Sequence, residues 1–351
     1  MFGMKEDLLV FFAPIALGVG LVCLAQVPAI HNSILLLALT CSAFGLSQLH
    51  QGPTWFMYLD RKNREHWSST WQNKLTYFIM PLLVIAATVI CALLWFNVTY
   101  VLTALWVLQH FIQQNVGILI LYHRRDGAHA IPQRSTELLS QYSAALLFAA
   151  IFFFRTCAPD AVRPFQGMVV GGLSVLTILV GSAYLKDLFM QHQRGLKMNW
   201  QALAFWVCSL LFLMPTALFA RSFDESILIP AVMHWCQYMS LNWALTTRKY
   251  ASPEQSSQIP SAAPGTVFVI TCITLSAIGI ALLAVAHPPM PINQQVSAVA
   301  TGLIMGLANC HNFIDSYLWR FRESHQRETL LPYLLREQHP PIAQAPVSAA
   351  H

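Results

Sequence analysis

Residues 99–122 read TYVLTALWVLQHFIQQNVGILILY, a run without a single Asp, Glu, Lys or Arg. As a helix rising about 1.5 Å per residue it extends roughly 36 Å, enough to cross a hydrocarbon core of about 30 Å. Its solvent is therefore lipid. Yet its centre carries His110, Gln113 and Gln114, which no lipid-facing helix needs. Those two facts, an apolar span and a polar heart, organise the rest of the chain.

The composition agrees with a membrane protein. Of 351 residues, 56% are hydrophobic and 10% charged, with a mean hydropathy of +0.52. Soluble domains carry about 25% charged residues. A disordered chain, a disulfide-stapled secreted module and a nucleic-acid binder are all excluded. The net charge of +5 is small and dispersed, so no nucleic-acid partner is expected. Reading outward from 99–122 gives ten spans: 8–30, 33–52, 75–96, 99–122, 138–154, 166–185, 202–220, 227–246, 265–286 and 295–318. The first is too long for a cleaved signal peptide and lacks its small-residue cleavage site. The fold class is an all-α polytopic membrane bundle.

Lys and Arg set the orientation. With ten spans, only Arg155, Arg163 and Arg221 fall on one side, and the other 17 of the 20 fall on the opposite side. That asymmetry places both termini in the cytoplasm and predicts an integral, multi-pass protein, of the inner membrane if the source is bacterial. The chain divides into a ten-span domain over 1–322, an interfacial amphipathic helix over 323–337 and a Pro/Ala-rich disordered tail over 338–351. Residues 252–264 read as a linker. The eight cysteines, seven of them in spans and none in a CxxC pair, read as small buried hydrophobes.

Ionisable groups inside a span are costly and point to function. Four of the 13 histidines qualify: His50, His110, His234 and His311, joined by Asp315. All lie on even-numbered spans, which run in the same direction. By rise per residue, His110 and His234 fall near mid-membrane and His50 and His311 in the cytoplasmic half. If the four helices are neighbours, the imidazoles converge.

Polar companions sit one turn away: Gln113 and Gln114 after His110, Gln237 and Tyr238 after His234, Asp315 after His311. Arg124-Arg125 and Arg248-Lys249 follow His110 and His234 at the same distance, so those two helices share a register. His50 precedes Gln51-Gly52-Pro53, where the helix should break. A lone membrane histidine is commonly a core residue bonded to its neighbours. Four of them in this pattern favour a shared site. The remaining histidines, His123, His66 and His325 included, read as surface.

Neutral imidazole ligates Fe, Cu, Zn and Ni. Three or four histidines with one carboxylate suit a mononuclear centre and not a carboxylate-bridged di-iron site. HExxH, GxGxxG, Walker A and GxSxG patterns are absent from the sequence. The expected function is a membrane-embedded, metal-dependent oxidoreductase or oxygenase with non-haem iron on His50, His110, His234 and His311. Asp315, Tyr238 and Gln114 would serve the chemistry, and Gln113 and Gln237 would line the cofactor. Its partners would be membrane lipids, a lipid-soluble substrate such as an isoprenoid or acyl chain, and a redox partner. Two alternatives stay open: a proton- or ion-coupled transporter with a His/Asp relay, and a b-type haem protein pairing His110 with His123 and His311 with His325. Another transition metal remains an alternative to iron.

The ending His311-Asn312-Phe313-Ile314-Asp315 through Leu318-Trp319-Arg320-Phe321-Arg322 resembles the C-terminal motif of uncharacterised bacterial polytopic membrane proteins. In architecture the chain resembles the Brp/Blh-type carotene dioxygenases. That likeness implies a polytopic enzyme with histidine-liganded iron.

Overall fold

The computed structural model describes residues 4–41, 47–124, 129–260, 263–286 and 293–335. They are helical, and their only β-type pairing is the isolated bridge between His129 and Lys197. In chain order the helices are α1 (Lys5–Ala25), α2 (His31–Cys41), α3 (Gly52–Phe56), α4 (Arg61–Ser68), α5 (Trp71–Leu94), α6 (Phe96–Arg124) and α7 (Arg134–Cys157). They continue with α8 (Gln166–Gln193), α9 (Trp200–Phe219), α10 (Phe223–Lys249), α11 (Pro264–Ala286), α12 (Gln294–Leu318), α13 (Ser324–Thr329) and α14 (Leu331–Leu335).

Among the described residues, seven helices are long and apolar enough to cross a membrane: α1, α5, α6, α7, α8, α9 and α11. Three expected spans fall outside that set. Of the second, α2 and the short turn Ser47–Leu49 are described, and residues 42–46 between them lie outside the described residues. α10 and α12, at 27 and 25 residues, are long enough, but their polar residues lower their hydropathy. These three carry His50, His234 and His311. The chain has placed its least lipid-compatible helices where the site is.

α12 forms the axis, packed along α5 and also against α6 and α11. Gly302 and Gly306, one turn apart, permit the close approach to α5. A Cβ on Gly302 would stand 3.0 Å from the Cα of Val89, and one on Gly306 would stand 3.2 Å from the Cα and carbonyl oxygen of Ile85. Small residues at such a crossing allow the close van der Waals packing that holds helices together in lipid. Asn309 donates to Thr88 and Thr103 at 3.3 and 3.1 Å, fastening α12 to α5 and α6.

The apolar side chains are distributed as lipid solvation demands. Leu82, Leu83, Ile178 and Leu179 face outward, whereas histidines, amides and threonines are buried between the helices. The cysteines follow only in part. Cys272 and Cys310 are buried, Cys23 and Cys157 are exposed, and none of the cysteines described is in a disulfide.

Segments assigned to the same side by their charges do meet. Lys249 Nζ lies 2.7 Å from Asp60 Oδ2, Arg61 N–H donates to the Gln258 carbonyl, and Arg248 donates to the Tyr333 carbonyl. At the opposite end, Arg155 donates to the carbonyls of Ala217 and Ala220. His31 approaches Glu225 at 3.7 Å there as well.

The segment 252–260 is docked rather than loose, with Gln258 and Ile259 buried. The single amphipathic helix expected over 323–337 is two short helices, α13 and α14, broken at Leu330. Leu330, Leu331 and Leu334 join the main core. Residues 338–351, and with them His339 and His351, lie outside the described residues, as does His287.

Candidate metal centre

The four intramembrane histidines converge. His50 lies 4.8 Å from His311 and 5.4 Å from His234, ring centroid to ring centroid, and His110 lies 4.9 Å from His234 and 5.1 Å from His311. All four are buried. The rings adjoin although counting residues along the expected spans places them at different depths.

Each ring arrives by a different route. The chain breaks at His50 and Gln51, and α3 starts with Pro53 at its first turn. Gly52 lets the turn sit close against α11: a Cβ there would stand 2.6 Å from the Cα of Cys272. His110 comes from α6 and His234 from α10, and Phe111 packs against the His234 ring at 4.5 Å. His311 comes from the buried face of α12. Trp235 stacks on His50 at 5.6 Å.

The ligand atoms of His50, His234 and His311 all lie within 4.8 Å of one another, as do those of His110, His311 and Asp315. Imidazole–metal bonds of about 2.0–2.1 Å bring ligand nitrogens to roughly 3.3 Å apart, so small side-chain adjustments separate these rings from a coordination sphere. Nε2 of His110, Nε2 of His311 and both nitrogens of His234 are buried without a hydrogen-bond partner. Unpaired buried polar atoms are destabilising, and several on one cluster call for a partner such as an ion or water. The donor set, nitrogen-rich with one carboxylate nearby, fits a single transition-metal ion.

Asp315 is bound on both oxygens. Oδ1 accepts from Thr54 at 2.8 Å and from Tyr238 at 2.9 Å, and Oδ2 accepts from Trp319 Nε1 at 3.3 Å. Among the expected site residues, Asp315 and Tyr238 therefore border the cluster.

The amides behave differently. Gln114 donates to Gln237 at 3.4 Å, and Gln237 donates to the Phe11 carbonyl at 2.9 Å, which belongs to a wide π turn before Pro14. The pair ties α6, α10 and α1 together one turn from the rings. Gln113 is exposed and is not brought into this pair. A cavity of one-water size adjoins His234, lined by Ile15, Phe111, Asn115, Phe212, Met233 and Gln237.

Some histidines read as surface are structural. His123 is buried, with Nε2 3.1 Å from Glu137 on α7. His325 stacks on His66 at 3.9 Å and bonds Asn63 at 3.0 Å. The haem pairings required His123 and His325 as second ligands, and both have an Nε2 engaged elsewhere. His31 and His192 bond backbone carbonyls rather than standing free. Thr54, Trp235 and Trp319 were not legible as site residues, since nothing in their local sequence separates them from ordinary helix residues.

No protein-family model, no curated protein and no solved structure matches the chain.

Proposed function

We propose that the protein is a membrane-embedded, metal-dependent oxidoreductase that binds one non-haem iron through His50, His110, His234 and His311 and acts on a lipid-soluble substrate. The observation that carries this reading is the set of four buried imidazoles with neighbouring ring centroids 4.8–5.4 Å apart, with ring nitrogens of His110, His234 and His311 lacking partners. Imidazole-held iron with open positions supplies dioxygen activation, which suits oxidation or oxidative cleavage of an isoprenoid or acyl chain. The protein's own contribution is to gather the ligands, hold them dry and orient His311 through its neighbours.

The surroundings favour an apolar substrate. Lipid-facing helices enclose the site, and the recess beside His234 has Phe111, Phe212, Met233 and Ile15 in its wall. Because that recess holds little more than a water, a chain-like substrate reaches the rings only as these side chains swing aside. An integral, multi-pass location, in the inner membrane if the source is bacterial, fits the apolar helices, and the charge asymmetry supports the orientation. A redox partner on the basic face would return electrons to the site.

A hydrogen-bonded path from His311 through Thr54 to Asp315 also suits proton movement in a transporter. Purified protein in detergent separates the readings. The oxidoreductase reading predicts about one iron per chain, no Soret band, and oxygen consumption dependent on an isoprenoid or acyl substrate. Protein free of metal, with pH-driven uptake in vesicles, supports the transporter instead.

A further inference from the structure

We propose that Thr54 is a positioning residue of the histidine cluster, its hydroxyl fixing the His311 ring in the tautomer that turns an unprotonated Nε2 toward the other imidazoles. The inference rests on the metal-site reading and deepens it.

Proton counting carries it. Thr54 Oγ1 lies 2.7 Å from His311 Nδ1 and 2.8 Å from Asp315 Oδ1. A hydroxyl has one proton to donate and two lone pairs to accept with. Trp319 Nε1–H can only donate to the Asp315 carboxyl, and the Tyr238 hydroxyl donates to it as well. The carboxyl is thus an acceptor on every side, and the Thr54 proton goes to it. What remains on Oγ1 is a lone pair facing His311 Nδ1, which is a bond only if Nδ1 carries the hydrogen. The unprotonated nitrogen of a neutral His311 is then Nε2, the buried atom with no partner.

Asp315 cannot do this alone. Its Oδ1 stands 3.7 Å from His311 Nδ1, beyond hydrogen-bond reach, so the hydroxyl is the bridge. Carboxylates that orient metal-bound histidines through the ring's other N–H are a general device. Here a threonine is interposed. The fold supplies it by the same break that delivers His50: α3 turns at Gly52-Pro53 and sets Thr54 one turn beyond His50, fully buried against α12. The Tyr238 hydroxyl, 3.1 Å away, completes the enclosure.

The test uses the full chain, stripped with a chelator and titrated with Co(II), in wild type, Thr54→Val and Thr54→Ser. Valine keeps the shape and removes the hydroxyl; serine restores it. Loss of such an orienting partner typically weakens metal binding about 10- to 100-fold. We expect that loss in Thr54→Val, with a changed Co(II) visible spectrum, and recovery to within about threefold in Thr54→Ser. Wild-type affinity and spectrum in Thr54→Val overturn the role of Thr54 while leaving the metal site standing. Absence of Co(II) binding in the wild type overturns the metal reading and the role of Thr54 with it. Should Thr54→Val not fold, 15N spectra of histidine-labelled wild type, with His311 assigned through His311→Gln, decide the matter. Nδ1–H supports the proposal and Nε2–H overturns it.

Discussion

The imidazole of His110 stands 4.9 Å from that of His234, with the ring planes 77° apart. Edge-on packing of this kind leaves ring nitrogens free to aim at a common point, whereas a stacked pair would bury one face of each ring. The His66–His325 pair shows the contrast: centroids 3.9 Å apart and planes 3° apart, with His325 Nε2 bonded to Asn63. Two histidine pairs thus serve opposite ends, one gathering donors and the other closing a surface seam.

The Asp60–Lys249 pair should be a stability determinant. Both side chains are buried, Lys249 Nζ and Tyr250 OH bond Asp60 Oδ2 at 2.7 and 2.6 Å, and the N–H of Lys62 bonds Oδ1 at 2.8 Å. Burial pushes the carboxyl up, but the Lys249 ammonium and these hydrogen bonds hold it below the usual carboxylate range. Asp60→Asn leaves a buried ammonium without its anion, at a cost of about 3–5 kcal/mol. Thermal unfolding in detergent should show the loss, and Asp60→Leu with Lys249→Met should recover most of it. Equal stability of Asp60→Asn and wild type would contradict the assignment.

Stability should also depend on pH through His325. Burial, reinforced by the stacked His66 ring, lowers its pKa from 6.5 to about 4. Between those values the unfolded chain binds a proton that the folded chain does not, so stability rises with pH across the window. The contribution is complete above about pH 6.5 and is lost as pH falls toward 4. Melting temperatures from pH 4.5 to 7.5 should climb more steeply for wild type than for His325→Phe. Identical slopes would remove His325 as the source.

How much of this was legible follows from where each signal resides. Basic residues gathered between apolar runs, and histidines set inside four of those runs, are local facts that the sequence states directly. Rotation of a helix about its axis is not local. Gln113 and Gln114 are both one turn from His110, and only packing of α6 against α10 selects Gln114 to meet Gln237. His123 lies among arginines and reads as surface until Glu137 arrives on the next helix. Thr54 gains its role only where α3, α10 and α12 meet.

The crossing of α5 and α12 should be intolerant of bulk. Gly306→Val forces side-chain atoms into the backbone of Ile85, and overpacking of this kind costs about 1–3 kcal/mol. Since α12 carries His311 and Asp315, metal binding should weaken alongside the melting temperature. Gly171→Val on α8, where a Cβ meets nothing within 4 Å, should change neither. Equal behaviour of the two variants would mean that the crossing does not position the site.

The most direct measurement is metal content per chain, by mass spectrometry, for wild type, His110→Ala, His234→Ala and His192→Ala. His192 bonds the Leu196 carbonyl at the end of α8 and should be dispensable to the site. The account predicts about one iron per chain in wild type and His192→Ala, and its loss in His110→Ala and His234→Ala. Wild-type protein without metal, or metal retained undiminished in both His110→Ala and His234→Ala, would contradict it.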